Sequence, residues 1–391
     1  MGVIDYVWLG LTTIVVIAGL VNLFVMSRNI TKKIVKNAKF RYDSELAKRF
    51  VSDFKLPISV VYPQHVFMHQ LELYEDEYDS ETWWNALWTM IDDAYDGSAS
   101  KFLKEYYDVR DKIITDTMEN PAYKAFTQMD MKQYAFERPK VSKNNVYNGE
   151  NIGKKFLSVD LSKANFQALR YVNPDIVLGA ETYKDFISKF TNLDYVAMSK
   201  YSRQVIFGKL NVDRQITVEK YLINKIYELL KSDQIDLTYG ARDLLYGMTL
   251  VSMSNDELIF DVSNINDDVR IDSVMYSIED IVKRELNLDV HTEYYMLKGW
   301  QLTSPTNKQV CQTFFEKIDL LHYDVENRGK LVCVPLPFYN IIYKLHHKQD
   351  LVYDDQYFIY EKMLCRFTDR FELNELKKGD KNNGKEEKRE E

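Results

Sequence analysis

The chain has 391 residues, 46% of them hydrophobic, with 28 Tyr, 20 Phe and a formal charge of −8 from 51 basic and 59 acidic side chains. So much apolar and aromatic material excludes disorder along most of its length, while 14 Gly, 8 Pro and 3 Cys exclude collagen-like and disulfide-scaffold classes. The length suggests roughly two to three domain-sized units or one multi-lobed enzyme, and the acidic balance argues mildly against a nucleic-acid partner.

The first element is Tyr6 to Met26, YVWLGLTTIVVIAGLVNLFVM, which holds no charged residue. At about 1.5 Å per residue it is long enough for the ~30 Å hydrocarbon core. Arg28, Lys32, Lys33, Lys36, Lys39 and Arg41 follow, the excess of basic charge that marks a cytoplasmic flank. The pattern predicts a transmembrane anchor over 1–27 and a basic juxtamembrane linker over 28–44. That makes a single-pass membrane protein with its N-terminus out, its body in the cytosol and the lipid membrane among its partners. A buried soluble helix and a signal peptide are the alternatives, the latter lacking a basic n-region and an A-x-A site. The basic stretch serves as a stop-transfer flank or as a holder of anionic headgroups.

Residues 45–375 form the expected body. Trp83, Trp84, Leu87, Trp88 and Ile91 recur at helical spacing in an acidic segment, which predicts a core-packed helix ending near Gly97. A looser, locally basic stretch leads to a strand at FLSVDL, then to a long helical region reaching about residue 232. Leu250–Met253 and Leu258–Val262 predict a strand pair with Ser254-Asn255-Asp256-Glu257 between them. Helices and strands mix after about residue 270, and the charged, low-complexity tail over 376–391 is expected to be disordered.

Two segments place carboxylates at the ends of apolar, β-prone runs: Phe156–Val172, with Asp160, and Leu250–Val262, with Asp256 and Glu257. Burying a carboxylate there costs several kcal/mol unless it is paired or binds metal. Side by side, two such sites offer hard oxygen ligands for Mg²⁺ or Mn²⁺, as two-metal phosphoryl transfer requires. Turns also favour Asn and Asp for local reasons. No P-loop, Rossmann or G-x-S-x-G motif occurs. His65/His69 lack the Glu of H-E-x-x-H, and His346-His347 with Cys333 and Cys365 lack metal-ligand spacing.

The segment S-V-D-L-S-K-A-N-F at Ser158–Phe166 resembles motif A of the palm-domain template-directed polymerases. N-D-E-L-I-F-D-V at Asn255–Val262 is similar to their motif C in family A DNA polymerases, and to the acidic hairpin of reverse transcriptases and viral RNA-directed RNA polymerases. Between them, Arg203, Phe207 and Gly208 resemble the K-x-x-x-F-G core of the family A fingers helix, with Arg for Lys. Asp160 and Asp256 stand 96 residues apart, as in a compact viral palm.

The resemblance covers roughly residues 138–300. It implies an α+β right-hand fold of fingers, palm and thumb, the thumb after about residue 300, preceded here by the transmembrane helix. Asp160 and Asp256 would hold the metal ions, with Glu257 in support. Arg203 would meet the triphosphate, Phe207 would lie against the nucleotide, and Asn165 would test the sugar. Arg138 and Lys140 fall where a basic strand covers the entering triphosphate. Lys298, in NLDVHTEYYMLKGW, falls where a lysine protonates the pyrophosphate. The implied partners are a template with its primer and nucleoside triphosphates. The implied activity is that of a membrane-bound viral-type RNA replicase, with a reverse transcriptase or a reduced family A DNA polymerase next. A non-catalytic, membrane-anchored scaffold with a degenerate palm is the rival from another class.

Overall fold

A computed structural model describes residues 41–139, 141, 146–232, 247–265, 268–307, 311–321 and 329–378. Six helices come first: α1 (Ser44–Phe54), α2 (Gln64–Leu73), α3 (Glu75–Tyr78), α4 (Ser80–Tyr95), α5 (Ala99–Glu119) and α6 (Pro121–Gln128). Next come β1 (Lys155–Leu161), α7 (Ala164–Val172), α8 (Tyr183–Ser188), α9 (Asp194–Met198), α10 (Lys200–Gly208) and α11 (Val212–Lys231). The chain continues through β2 (Thr249–Met253), β3 (Glu257–Asp261), α12 (Asp268–Leu286), β4 (Val290–Thr303), β5 (Cys311–Asp319) and β6 (Gly329–Val332). It closes with α13 (Tyr339–His346), β7 (Tyr357–Tyr360), β8 (Met363–Arg366) and β9 (Glu372–Leu376).

The expected right-hand fold behind a transmembrane helix is corrected here. The described residues make an α+β fold built on an antiparallel sheet, and none of their helices is long and apolar enough to cross a membrane. Charge is the reason: even the 21-residue α5 carries Lys101, Lys104, Glu105, Asp108, Arg110, Asp111, Lys112 and Asp116. The apolar run Tyr6–Met26 lies outside the described residues, as does most of the charged tail.

The chain divides into two compact units, one running to Val51 and resuming over Val61–Lys104, the other taking Ser52–Val60 and everything from Glu105. In the first, Trp84 is fully buried and meets Phe50 and Phe67 edge-on at 5.2 and 5.1 Å. Leu87, Trp88 and Ile91 join the buried stripe of α4, as the spacing predicts, but Trp83 points out at 40% exposure.

The second unit holds the sheet, in the order β2-β3-β1-β4-β5-β6, with β9 pairing β4 beyond the end of β1. The run β1–helices–β2–β3–α12–β4, with β1 central between β3 and β4, is the split β-α-β-β-α-β topology. Residues of one parity share a face. Phe156, Ile259, Tyr295, Leu297 and Phe315 build an apolar cluster with Val146 and Ile152 on one face. On that same face, toward the end of β1, the register places Asp160, Glu257, His291 and Glu293. The surface thus turns from apolar to charged within two residues along β3 and β4 and within four along β1.

Candidate active site

Asp160 is the next-to-last residue of the central strand, between buried Val159 and Leu161. It faces Glu257 directly on β3 and His291 directly on β4. Directly opposed residues in an antiparallel pair have backbones about 5 Å apart. Asp256 lies one residue before Glu257, in the β2–β3 turn, where its carbonyl accepts from the Leu161 N–H at 2.7 Å. The turn is shaped by Ser254, whose hydroxyl donates to the Asp256 carboxylate at 3.0 Å and accepts from the Glu257 N–H at 3.0 Å. The Asp160 strand end and the acidic hairpin therefore meet at one end of the sheet.

The far side of β1 is fastened equally well. The Ser162 N–H donates to the Asp289 carbonyl at 2.9 Å, and Asp289 exchanges two hydrogen bonds of 2.7 Å with the buried Gln167 amide. Lys163, at φ 52°, turns the chain from β1 into α7. A strand end tied on both sides holds its carboxylate in one place.

The electrostatics of this end are unfavourable to negative charge. Burial, then the charges of Asp256 and Glu293, push the Asp160 carboxyl up to about 6, against His291 and Lys200. Burial pushes Glu257 to about 7; Lys317 opposes this, and Asp160 and Asp256 add to it. A further carboxyl, Glu219 on α11, is held up at about 7 by burial and by Asp256. Glu293 contrasts with them. Burial opposes its ionisation, but its bond of 2.8 Å to Lys317 and the charges of Lys317, Lys330 and His291 hold it below the ordinary range.

Positive charge gathers beside Asp160. Lys200 feels Arg203, Lys330, Lys55 and Asp160; burial and the three cations lower its pKa. Burial also lowers Arg203, which Tyr183 and Asp160 hold charged. Helix α10 begins at Ser199, whose hydroxyl caps the Ser202 N–H at 2.8 Å and donates to Asp53 at 2.6 Å. Asp53, fully buried, also accepts from Tyr106 at 2.8 Å and Tyr195 at 2.9 Å. This carboxylate fixes the start of the helix that carries Lys200 and Arg203.

A cavity of about 270 Å³ opens beside the acidic end, lined by His291, Glu293, Tyr295, Lys317, Asp319 and Lys330 among others. A second, of about 240 Å³, lies by Arg170 and Asn287, where the guanidinium already bonds to Glu181 and to the Asn287 carbonyl.

Of the expected site residues, Asp160, Asp256, Glu257 and Arg203 come together. Asn165, on the first turn of α7, donates to Glu219 Oε1 at 2.5 Å. Arg138 hydrogen-bonds the Met253 carbonyl at the end of β2 and serves the hairpin backbone. Lys140 lies outside the described residues. Phe207 is 1% exposed, its ring 6.0 Å from that of Tyr183, so it is core and cannot lie against a nucleotide. Lys298 is corrected too: its parity puts it on the opposite sheet face from Glu293, and it lies seven residues along β4 from His291, about 23 Å of strand. There it meets Glu375 at 3.7 Å and the Trp300 ring at 5.5 Å.

Sequence reasoning missed Glu219, Glu293, Lys317 and Lys330. Glu219 did carry a signal, since Gln215, Glu219, Leu222 and Ile226 form one stripe of α11 and all are buried. Comparison with protein-family models, with curated proteins and with solved structures finds no match to this chain.

Proposed function

We propose that the second unit is a template-directed nucleotidyltransferase acting on nucleoside triphosphates. One observation supports this most: half-buried carboxyls with raised pKa values converge at the end of a central strand, beside a cluster of lysine and arginine. Asp160 and Asp256 offer hard oxygen donors for Mg²⁺. Among the described residues no group of three or more His, Cys, Asp or Glu side chains is placed to hold a metal ion by itself. Two carboxylates are what Mg²⁺ takes in phosphoryl-transfer sites, together with phosphate oxygens and water, so Asp160 and Asp256 would hold it with substrate bound. When bound, the metal supplies Lewis-acid stabilisation of the charge that develops on the transferring phosphoryl group.

The chain's own residues do the rest. Asp160 and Asp256 define where the reacting phosphate sits, and Glu257 adds negative charge that favours cation binding. Arg203 and Lys200 neutralise the triphosphate from the other side, held in position through Ser199 and Asp53. The rigid strand end supplies orientation, which with electrostatic stabilisation is what a protein contributes to such a reaction.

The test is nucleotide incorporation on primed RNA and DNA templates with Mg²⁺. The expected outcome is a product that copies the template and falls on the order of a thousandfold in Asp256→Asn, the loss of several kcal/mol of charge stabilisation. Incorporation undiminished in that variant overturns the assignment.

A further inference from the structure

Arg170, in the last turn of α7, is 7% exposed and forms part of the wall of the cavity of about 240 Å³. Its guanidinium donates to the Glu181 carbonyl at 2.6 Å, to Glu181 Oε2 at 2.9 Å and to the Asn287 carbonyl. The only carboxylate facing this buried cation among the described residues is that of Glu181, whose side chain is 75% exposed. Swinging that side chain away costs little, because water solvates the released carboxylate. The two carbonyls belong to the backbone and keep the guanidinium in place when it goes.

We infer that this cavity binds a small monocarboxylate with an apolar or aromatic body, whose carboxylate takes the place of Glu181 on the Arg170 guanidinium. Glu181 is then a built-in stand-in that shows which functional group the guanidinium accepts. The planar fork of arginine matches a carboxylate through two parallel hydrogen bonds. The walls set the body of the ligand, where Tyr171, Leu286 and Leu288 join the buried Ala180. The volume sets its size, being below the ~300–1,000 Å³ of sites for drug-sized ligands. The helix ends set its charge. Arg170 lies in the last turn of α7 and Asn287 directly follows α12, so the partial negative charges of two C-termini offset part of the guanidinium. A single negative charge suits that background better than the two of a phosphate. No residue of the acidic centre lines this cavity, and the inference stands apart from the proposed nucleotidyl transfer.

The experiment is calorimetric titration of the full chain with benzoate at pH 7.5, with benzamide, acetate and inorganic phosphate as comparison probes. Benzoate is expected to saturate one site with a Kd of about 1 mM or below. Benzamide has the shape without the charge, and acetate the charge without the ring. These two and phosphate are each expected to bind about tenfold more weakly or worse. The decisive variant is Glu181→Ala, a change at an exposed side chain that leaves the Glu181 carbonyl bond to Arg170 in place. Removing the competing carboxylate is expected to tighten benzoate about three- to tenfold. Arg170→Lys keeps the charge but loses the fork, and is expected to weaken benzoate about tenfold or more.

Benzoate that fails to bind, or that binds no better than benzamide, acetate or phosphate, overturns the inference. So does a Glu181→Ala chain whose affinity for benzoate is unchanged or lower, since Glu181 would then not occupy the place of the ligand. A folded Arg170→Lys chain that binds as wild type does the same. Where Arg170→Lys does not fold, the four probes and Glu181→Ala decide by themselves. None of these readouts involves nucleotide incorporation, so a failure of the proposed function leaves them standing.

Discussion

The same sheet buries carboxylates in two places and treats them in opposite ways. On β5, Glu316 is 5% exposed and accepts from Trp300 Nε1 at 2.8 Å, with His346 Nε2 at 3.1 Å. Burial opposes its ionisation, but His346, Trp300 and Lys298 hold its carboxyl below the ordinary range. The chain leaves room for it as well: a Cβ on Gly329 would stand 1.7 Å from Glu316 Oε1. At the end of β1, Asp160 and Glu257 are pushed up to about 6 and about 7, with other carboxyls as neighbours. The first cluster has its counter-charge within the protein, whereas in the second burial and neighbouring carboxylates outweigh His291, Lys200 and Lys317. Buried acid alone does not mark a functional site; acid whose pKa burial and like charge raise in spite of nearby bases is the better candidate.

That contrast has a stability consequence, which urea unfolding at pH 7.5 measures. Glu316→Ala strips the partner from Trp300 and His346 and is expected to cost about 3 kcal/mol, the usual penalty for breaking a buried pair. Asp160→Asn removes a charge that its neighbours repel and is expected to cost nothing or to stabilise. Equal losses in the two variants would erase the distinction between the clusters.

A smaller effect separates the two ends in kinetics. Lys200→Ala and Arg203→Ala are each expected to raise the KM for nucleotide about tenfold, the loss of one charge-assisted contact. Lys298→Ala, on the opposite face beside Glu375 and Trp300, is expected to leave it within about twofold, as a half-exposed ion pair contributes little. Steady-state incorporation at varied nucleotide concentration resolves the three.

Much of the acidic end was legible in the sequence, for local reasons. Apolar alternation in FLSVDL and the polar tetrad Ser254–Glu257 between two strands located Asp160 and Asp256 on strand ends. A hairpin turn is encoded by the residues that form it. What pairs with β1 on its other edge was not legible. No local signal sets the register that puts His291 beside Asp160 and Lys298 on the opposite face; it follows from packing Tyr295 and Leu297 into the apolar cluster. The Arg203–Phe207 spacing put both side chains on one helix face, and both lie against Tyr183, but periodicity says nothing of depth, and Phe207 proved to be core. Lys317 and Lys330 reach the site from β5 and β6, a partnership only the folded sheet creates.

The most direct measurement is the thermal shift produced by Mg²⁺ at pH 5.5 and at pH 8. The carboxyls of Asp160, Glu257 and Glu219 have folded values above their unfolded ones. The stability they contribute is complete below about pH 4 and lost as pH rises through about 6 to 7. A bound cation takes the ionised forms and offsets that loss, so its stabilisation must grow over the same window. The account predicts a gain at pH 8 of about 2.7 kcal/mol at a hundredfold excess over Kd, little gain at pH 5.5, and none at either pH in Asp160→Asn or Asp256→Asn. A shift of equal size at both pH values, or one that survives in those variants, would contradict it.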